Sequence, residues 1–151
     1  MSPCADIRPG RSADLARVIA LLEDARLPVS DLRSIAQLRT WVLERKSSLV
    51  GVIALECYGS EGLLRSLAVA PEYRNRGFGG LLVDRLEEDA RLDGIQQVVL
   101  LTETAETFFA SRGYRVVDRR CVSEAVKQSA EFRSLCPASA RCMSKVLAEP
   151  S

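Results

Sequence analysis

The sequence predicts an α/β (α+β) fold, a mixed, mostly antiparallel sheet of about seven strands flanked by helices. Three observations carry this. "TWVLER", "LVGVIALECY" and "GLLRSLAV" are successive aliphatic, β-branched runs joined by the polar links Lys46-Ser47-Ser48 and Gly59-Ser60-Glu61, which reads as an antiparallel meander. Phe78, Leu82, Leu86 and Ala90 recur every four residues as far as Gly94, the pattern of a helix closed by a glycine. Between the two lies "APEYRNRGFGG", residues 70–80, with two arginines and three glycines at one strand-to-helix junction.

The other elements follow in order. Cys4 to Arg8 alternates before Pro9-Gly10. Leu15, Val18, Ile19 and Leu22 then have the spacing of an amphipathic helix, with Ser12 as the predicted N-cap. Pro28 disfavours a helical Leu27, so that helix should stop near Arg26. "VSDLRSIAQL" predicts a second short helix. Past Gly94, "IQQVVLL" reads as a strand, "AETFFASR" as a short helix ended by Gly113, and "YRVVDR" as another strand. Ser123 to Phe132 is a polar helical stretch, and "RCMSKVL" alternates as a final strand able to pair with "YRVVDR".

Composition narrows the function. With 151 residues, 47% hydrophobic and 27% charged, the chain fits one globular domain. A net charge of +1 gives no general attraction to nucleic acid or to an anionic membrane, so an anion site must be local. No apolar run approaches the roughly 18 residues of a membrane span, and "MSPCADIRPG" lacks the apolar core of a signal peptide. A cytoplasmic protein is the expectation. Cys4, Cys57, Cys121, Cys136 and Cys142 are odd in number and scattered, which suits reduced thiols, and no pair has zinc-finger spacing. Histidine is absent, which rules out a His-based triad, a His general base and a His metal ligand within this chain. No metal site is expected.

A helix N-terminus offers backbone N–H groups without internal partners and the positive end of the helix dipole, so a glycine-rich turn there favours a phosphate or pyrophosphate. The loop fails the P-loop pattern, because no lysine follows its glycines. It also fails the dinucleotide fingerprint, because Leu82 stands where the third glycine belongs. It does fit R/Q-x-x-G-x-G/A, through Arg74, Gly77 and Gly79. Neither charge nor aromatic interleaving supports RNA binding by "YRNRGFGG".

"SLAVAPEYRNRGFGGLLVDRLE" strongly resembles the acetyl-CoA-binding signature of the GCN5-related N-acetyltransferase (GNAT) superfamily, and "AETFFASRGY" resembles its later helix-and-strand signature. "LLRSLAVAP", "LLT" followed by "FFASRGY", and "SLCPASARCM" look like a small group of these enzymes named for arsenic-resistance gene clusters, over roughly residues 50 to 147. The resemblance implies the GNAT fold, one acetyltransferase domain over residues 1–151, acetyl-CoA as co-substrate and a small-molecule amine as acceptor. It implies neither a nucleic acid nor a membrane partner, and it leaves homodimer formation open. Leu67, Ala68 and Val69 would meet the pantetheine arm and the thioester. Arg74, Asn75, Arg76, Gly77, Phe78, Gly79 and Gly80 would cradle the pyrophosphate, and Thr102, Phe109 and Arg112 would complete the cofactor contacts.

In that reaction an amine attacks the thioester while a backbone N–H, of Leu67 or a neighbour, holds the developing oxyanion. Many relatives carry a glutamate where this chain has Leu63, and a tyrosine where it has Phe109. Glu56 is the first candidate base and Glu61 the second, each weighed against a plain solvated carboxylate; Ser66 or Ser111 could protonate the thiolate. Arg65, a charge within "GLLRSLAV" on the same face as Leu63 and Leu67 by alternation, is either a clamp for an anionic group of the acceptor or an ion-pair partner of Glu56 or Glu103. Cys136 and Cys142 could hold a thiophilic metalloid, or be small buried hydrophobes. The expected acceptor is a small, anionic, amino-acid-like molecule, a class that includes antimetabolites bearing arsenic or phosphorus. A non-catalytic acyl-CoA-binding subunit is the alternative, motivated by Leu63 and Phe109.

Overall fold

The computed structural model describes residues 6–35, 37–135 and 139–147. β1 (Asp6–Pro9) leads through a 3-10 turn to α1 (Leu15–Asp24), and β2 (Leu38–Arg45), β3 (Ser48–Tyr58) and β4 (Glu61–Val69) form the meander. There follow α2 (Phe78–Leu92), β5 (Gln97–Thr102), α3 (Glu106–Ser111), β6 (Arg115–Val116), α4 (Glu124–Lys127) and β7 (Arg141–Val146). The strands make one seven-stranded sheet in the order β1-β2-β3-β4-β5-β7-β6, antiparallel at each pairing except β4 with β5. Among the described residues no helix is long and apolar enough to cross a membrane.

Period-two alternation divides the meander between two cores. Trp41, Leu43, Ile53 and Leu55 pack with Leu82, Val83 and Leu86 of α2, whereas Val42 and Val52 meet Val18, Leu21 and Leu22 of α1. Leu82 and Leu86 have no exposed surface, and each such burial contributes about 1.5–3 kcal/mol. Trp41 Nε1 donates to Asp89 Oδ2 at 2.7 Å, which fixes α2 over the sheet.

Three local expectations change. Ser12 lies inside the 3-10 turn Ser12–Asp14, and the orphan amide ahead of it, that of Arg11, donates to Asp14 Oδ2 at 2.7 Å, so Asp14 and not Ser12 supplies the capping oxygen. Among the described residues of "VSDLRSIAQL" the helical part is the 3-10 turn Leu32–Ser34. The strand in "YRVVDR" is two residues long, because Asp118 Oδ1 accepts from the Arg120 amide and turns the chain into a 3-10 helix. It does pair with β7, as the alternation of "RCMSKVL" suggested.

The largest departure is inside β4. Ala54 pairs with Arg65 but Val52 with Ala68, so β4 takes three steps where β3 takes two. The extra residue is a β-bulge around Ser66, whose φ is +61°. Parity shifts across it: Leu63 packs beside α4 and Ala68 beside α1, while Leu67 turns toward the α2 core. Arg65 and Leu67 therefore do not share a face, since alternation holds only along an unbroken ladder.

Candidate active site

The parallel pairing of β4 with β5 runs from Glu61–Gln97 to Leu63–Val99 and stops there. Beyond it β5 continues against β7 and β4 against β3, so the two strands part. The gap holds a cavity of about 180 Å³, walled by Leu64 to Leu67 of β4, by Leu100 to Thr102 of β5, and by Phe109, Pro28 and Glu131. A second hollow of about 460 Å³ runs from Leu67, Ala68 and Val69 along the loop to Gly80, with Tyr73 and Phe108 on its sides. Leu67 and Ala105 line both, so the two hollows lie side by side.

The loop adopts the conformation its letters suggest. Asn75 and Gly77 have φ of +63° and +84°, a region that costs most residues about 1–2 kcal/mol and glycine little. The first hydrogen bond of α2 is Leu81 N–H to the Gly77 carbonyl at 3.1 Å. The amides of Phe78, Gly79 and Gly80 precede it and form the helix's open N-terminus, at the wall of the hollow. Arg74 lines that hollow and folds back to donate from Nε to the Val69 carbonyl at 2.9 Å, tying the loop to the end of β4. Arg76 lies over the Tyr73 ring, 5.3 Å from its centre.

Of the expected cofactor residues, Leu67, Ala68, Val69, Arg74, Asn75, Gly77, Phe78, Gly79 and Gly80 line the larger hollow. Thr102 and Phe109 line the cleft instead. Thr102 Oγ1 accepts from the Ala105 amide at 3.0 Å and so starts the turn into α3. Phe109 stacks edge-on with Phe108 and Tyr114, at 5.0 and 5.4 Å. Arg112 lines neither hollow: it pairs with Asp84 and packs so close to Gly80 that a Cβ there would come within 2.7 Å of its Nη1. Its position braces α3 against α2. Tyr73 and Phe108 were missed, because an aromatic in a loop or on a short helix carries no spacing signal.

Arg65 has a fully buried side chain. Nη1 donates to Asp31 Oδ2 and to Glu56 Oε2, both at 2.7 Å; Nη2 donates to Asp31 Oδ1 at 2.9 Å and to the Pro28 carbonyl at 3.4 Å. Nε donates to Ser66 Oγ at 3.3 Å, with Glu131 Oε2 at 3.4 Å. Each N–H is thus engaged within the chain, and of the two carboxylates expected as ion-pair partners Glu56 is the one present. These bonds hold the guanidinium charged, its pKa raised against the opposing effect of burial.

Glu56 is buried beneath this cluster, takes a second hydrogen bond from the Tyr58 hydroxyl, and is absent from the cavity wall. Burial and that same carboxylate push the Tyr58 phenol up. Glu61 sits at the far end of β4, where Oε1 accepts from the Ser123 amide at 3.2 Å. Ser66 lines the cleft, and Ser111 Oγ is engaged with the Phe108 carbonyl at 2.6 Å. Leu63 lies in an apolar cluster with Val99 and Val126. Cys136 lies outside the described residues; the Cys142 thiol is buried and pushed up to about 11, chiefly by desolvation, which disfavours the thiolate a metalloid needs. Asp31 and Glu131 were missed, since only tertiary packing brings them to Arg65.

A family model described as an acetyltransferase (GNAT) domain matches residues 36–116. The described fold superposes with a TM-score of 0.83 on N-acetylglutamate synthase from Neisseria gonorrhoeae in complex with coenzyme A and N-acetyl-glutamate, at 21% identity, over 99% of this chain and 36% of that one. With Rv2747 from Mycobacterium tuberculosis, solved in complex with CoA, the TM-score is 0.77 at 26% identity, over 94% and 99% of the two chains. The amino-acid acetyltransferase of Pasteurella multocida is 28% identical over 79 residues, 51% of this chain but only 18% of that protein.

Proposed function

This chain belongs to the GNAT acetyltransferase family, and from that premise we propose that it transfers acetyl from acetyl-CoA to the primary amine of a small, amino-acid-like molecule. One observation carries the reading: the hollow at the open amides of α2 adjoins the cleft between β4 and β5, with Leu67 and Ala105 lining both. A pyrophosphate fits the helix N-terminus and the loop glycines, where anions are favoured and backbone approach is close. The pantetheine arm would then run along Leu67 to Val69 and bring the thioester to the bulge at Ser66. There the amine attacks the carbonyl carbon, a backbone N–H beside the bulge holds the oxyanion, and the C–S bond breaks to release CoA thiolate.

The acceptor class draws its support from relatives that are amino-acid acetyltransferases, of which this chain matches only a part. Arg65 no longer supports an anionic acceptor, because its donors are taken by Asp31, Glu56 and Pro28. An arsenic- or phosphorus-bearing amino-acid analogue remains one arm of the acceptor screen. The test is free-thiol release from acetyl-CoA with a panel of amino acids, their amides and such analogues. Amine-dependent release supports the enzyme; acetyl-CoA binding without release for any amine favours the acyl-CoA-binding subunit.

A further inference from the structure

We propose that the chain also transfers acyl groups longer than acetyl, propionyl and butyryl among them, and that Leu64, Leu100 and Phe109 form the floor that receives the acyl tail. The proposal rests on the acetyltransferase reading and names its donor range. Because β4 and β5 part, the cleft is walled from both faces of the sheet. Leu64, Leu100 and Phe109 belong to the core beneath α2. Arg65 and Leu101, each one step along its strand, come from the opposite face, where Leu101 packs with the Leu63 cluster. Leu67 and Ala105, which line both the cleft and the hollow at the loop amides, pack against the α2-side core. A cofactor with its pyrophosphate on those amides therefore reaches the cleft from the α2 face, and its acyl group meets the apolar floor before it meets Arg65.

The floor suits a hydrocarbon and not an amine. Leu64, Leu100 and Phe109 are buried and carry no polar side-chain atom, so an ammonium there would give up its hydration for no side-chain acceptor, whereas each methylene of an acyl tail gains by leaving water. The Phe109 amide is already spent on the Ala105 carbonyl, at 3.0 Å. Size points the same way. The cleft cavity holds about 180 Å³, and a cavity of about 150 Å³ lined by side chains of this kind admits a benzene ring, so the methyl of an acetyl group leaves room to spare. Phe109, held edge-on between Phe108 and Tyr114, is a firm end to that room. The reaction is unchanged by the longer tail: a neutral amine forms the C–N bond, the C–S bond breaks with its electron pair on sulfur, and the proton lost from nitrogen balances the CoA thiol.

The test runs acetyl-, propionyl-, butyryl- and octanoyl-CoA on the full chain, with calorimetry for binding and thiol release for transfer to the amino acid that is acetylated fastest. Affinity should rise from acetyl to butyryl by up to about fourfold per methylene, the gain from burying each one. The kcat/KM of propionyl- and butyryl-CoA should stay within about 10-fold of acetyl-CoA, and that of octanoyl-CoA should fall at least about 10-fold below butyryl-CoA. Phe109→Leu shortens the end of the floor and should raise the octanoyl-to-butyryl ratio at least about 10-fold. Leu100→Val, a smaller change in the same floor, should move that ratio in the same direction, and the wild-type series stands without either variant. A wild type that discriminates against propionyl-CoA by about 100-fold or more would overturn the proposal. So would floor variants that change all four donors by one factor, which is the mark of a packing role. If wild type releases thiol from no donor with any amine, the acetyltransferase reading falls and this proposal with it; if acetyl is transferred and the longer groups are refused, this proposal alone is lost.

Discussion

Arg65 Nη1 donates to Glu56 Oε2 at 2.7 Å across β4 and β3, and the same nitrogen reaches Asp31 Oδ2 at 2.7 Å, so one guanidinium joins two strands to the segment that follows α1. Removing it leaves carboxylates buried without their counter-charge. Arg65→Ala should destabilise the fold by about 3–5 kcal/mol, the usual cost of breaking a buried pair from one side. Arg65→Lys should recover part, since a point charge cannot match the planar fork. Urea denaturation measures both; an alanine variant within about 1 kcal/mol of wild type would contradict this role.

Gly79 stands where an open helix N-terminus meets the larger hollow, and Phe108 is its nearest side-chain neighbour, 3.7 Å from a notional Cβ. Gly79→Asp has room to fold but sets a negative charge beside the amides. Acetyl-CoA affinity should fall at least about 10-fold, a loss of 1.4 kcal/mol or more, with thermal stability nearly unchanged. Titration calorimetry and thermal unfolding read the two quantities apart.

Ser66 holds the β4 bulge at φ +61°. Its backbone and not its hydroxyl is what the proposed site needs, so Ser66→Gly should keep kcat/KM within about threefold while Ser66→Val, β-branched at a positive φ, should cost about 1–3 kcal/mol of stability. Thiol-release rates and denaturation midpoints check this. A large loss of turnover in the glycine variant would return the hydroxyl to the chemistry as a proton donor.

Asp14 ties Arg8 and Arg17 to the start of α1, and the hydrogen bonds from Arg8 hold its carboxyl well below the usual range. Because the folded pKa lies below the unfolded one, the stability it contributes is present above about pH 4 and is lost as pH falls through the folded value. Asp14→Asn should therefore lower the melting temperature at neutral pH and flatten its decline in acid. Melting curves from about pH 6 down to pH 2 test the sign.

Much of this was legible in the letters. The meander, α2 and the loop follow from alternation, four-residue spacing and glycines that take positive φ, and these signals are local. The bulge was not legible, because "GLLRSLAV" reads as an unbroken strand and the extra step at Ser66 appears only against the register of β3. That single step turned Leu67 away from Arg65's face and placed Ser66 in the cleft wall. Glu131 and Asp31 looked like ordinary polar residues of a helical stretch and a turn; long-range packing brings both to Arg65, and Glu131 to the cleft wall as well.

The most direct measurement is a crystal structure with acetyl-CoA bound. The expected density puts the pyrophosphate on the amides around Gly77 to Gly80, runs the pantetheine beside Leu67 to Val69, and ends with the thioester carbonyl at the Ser66 bulge within the β4–β5 cleft. Acetyl-CoA bound elsewhere, or a thioester outside the cleft, would contradict the account.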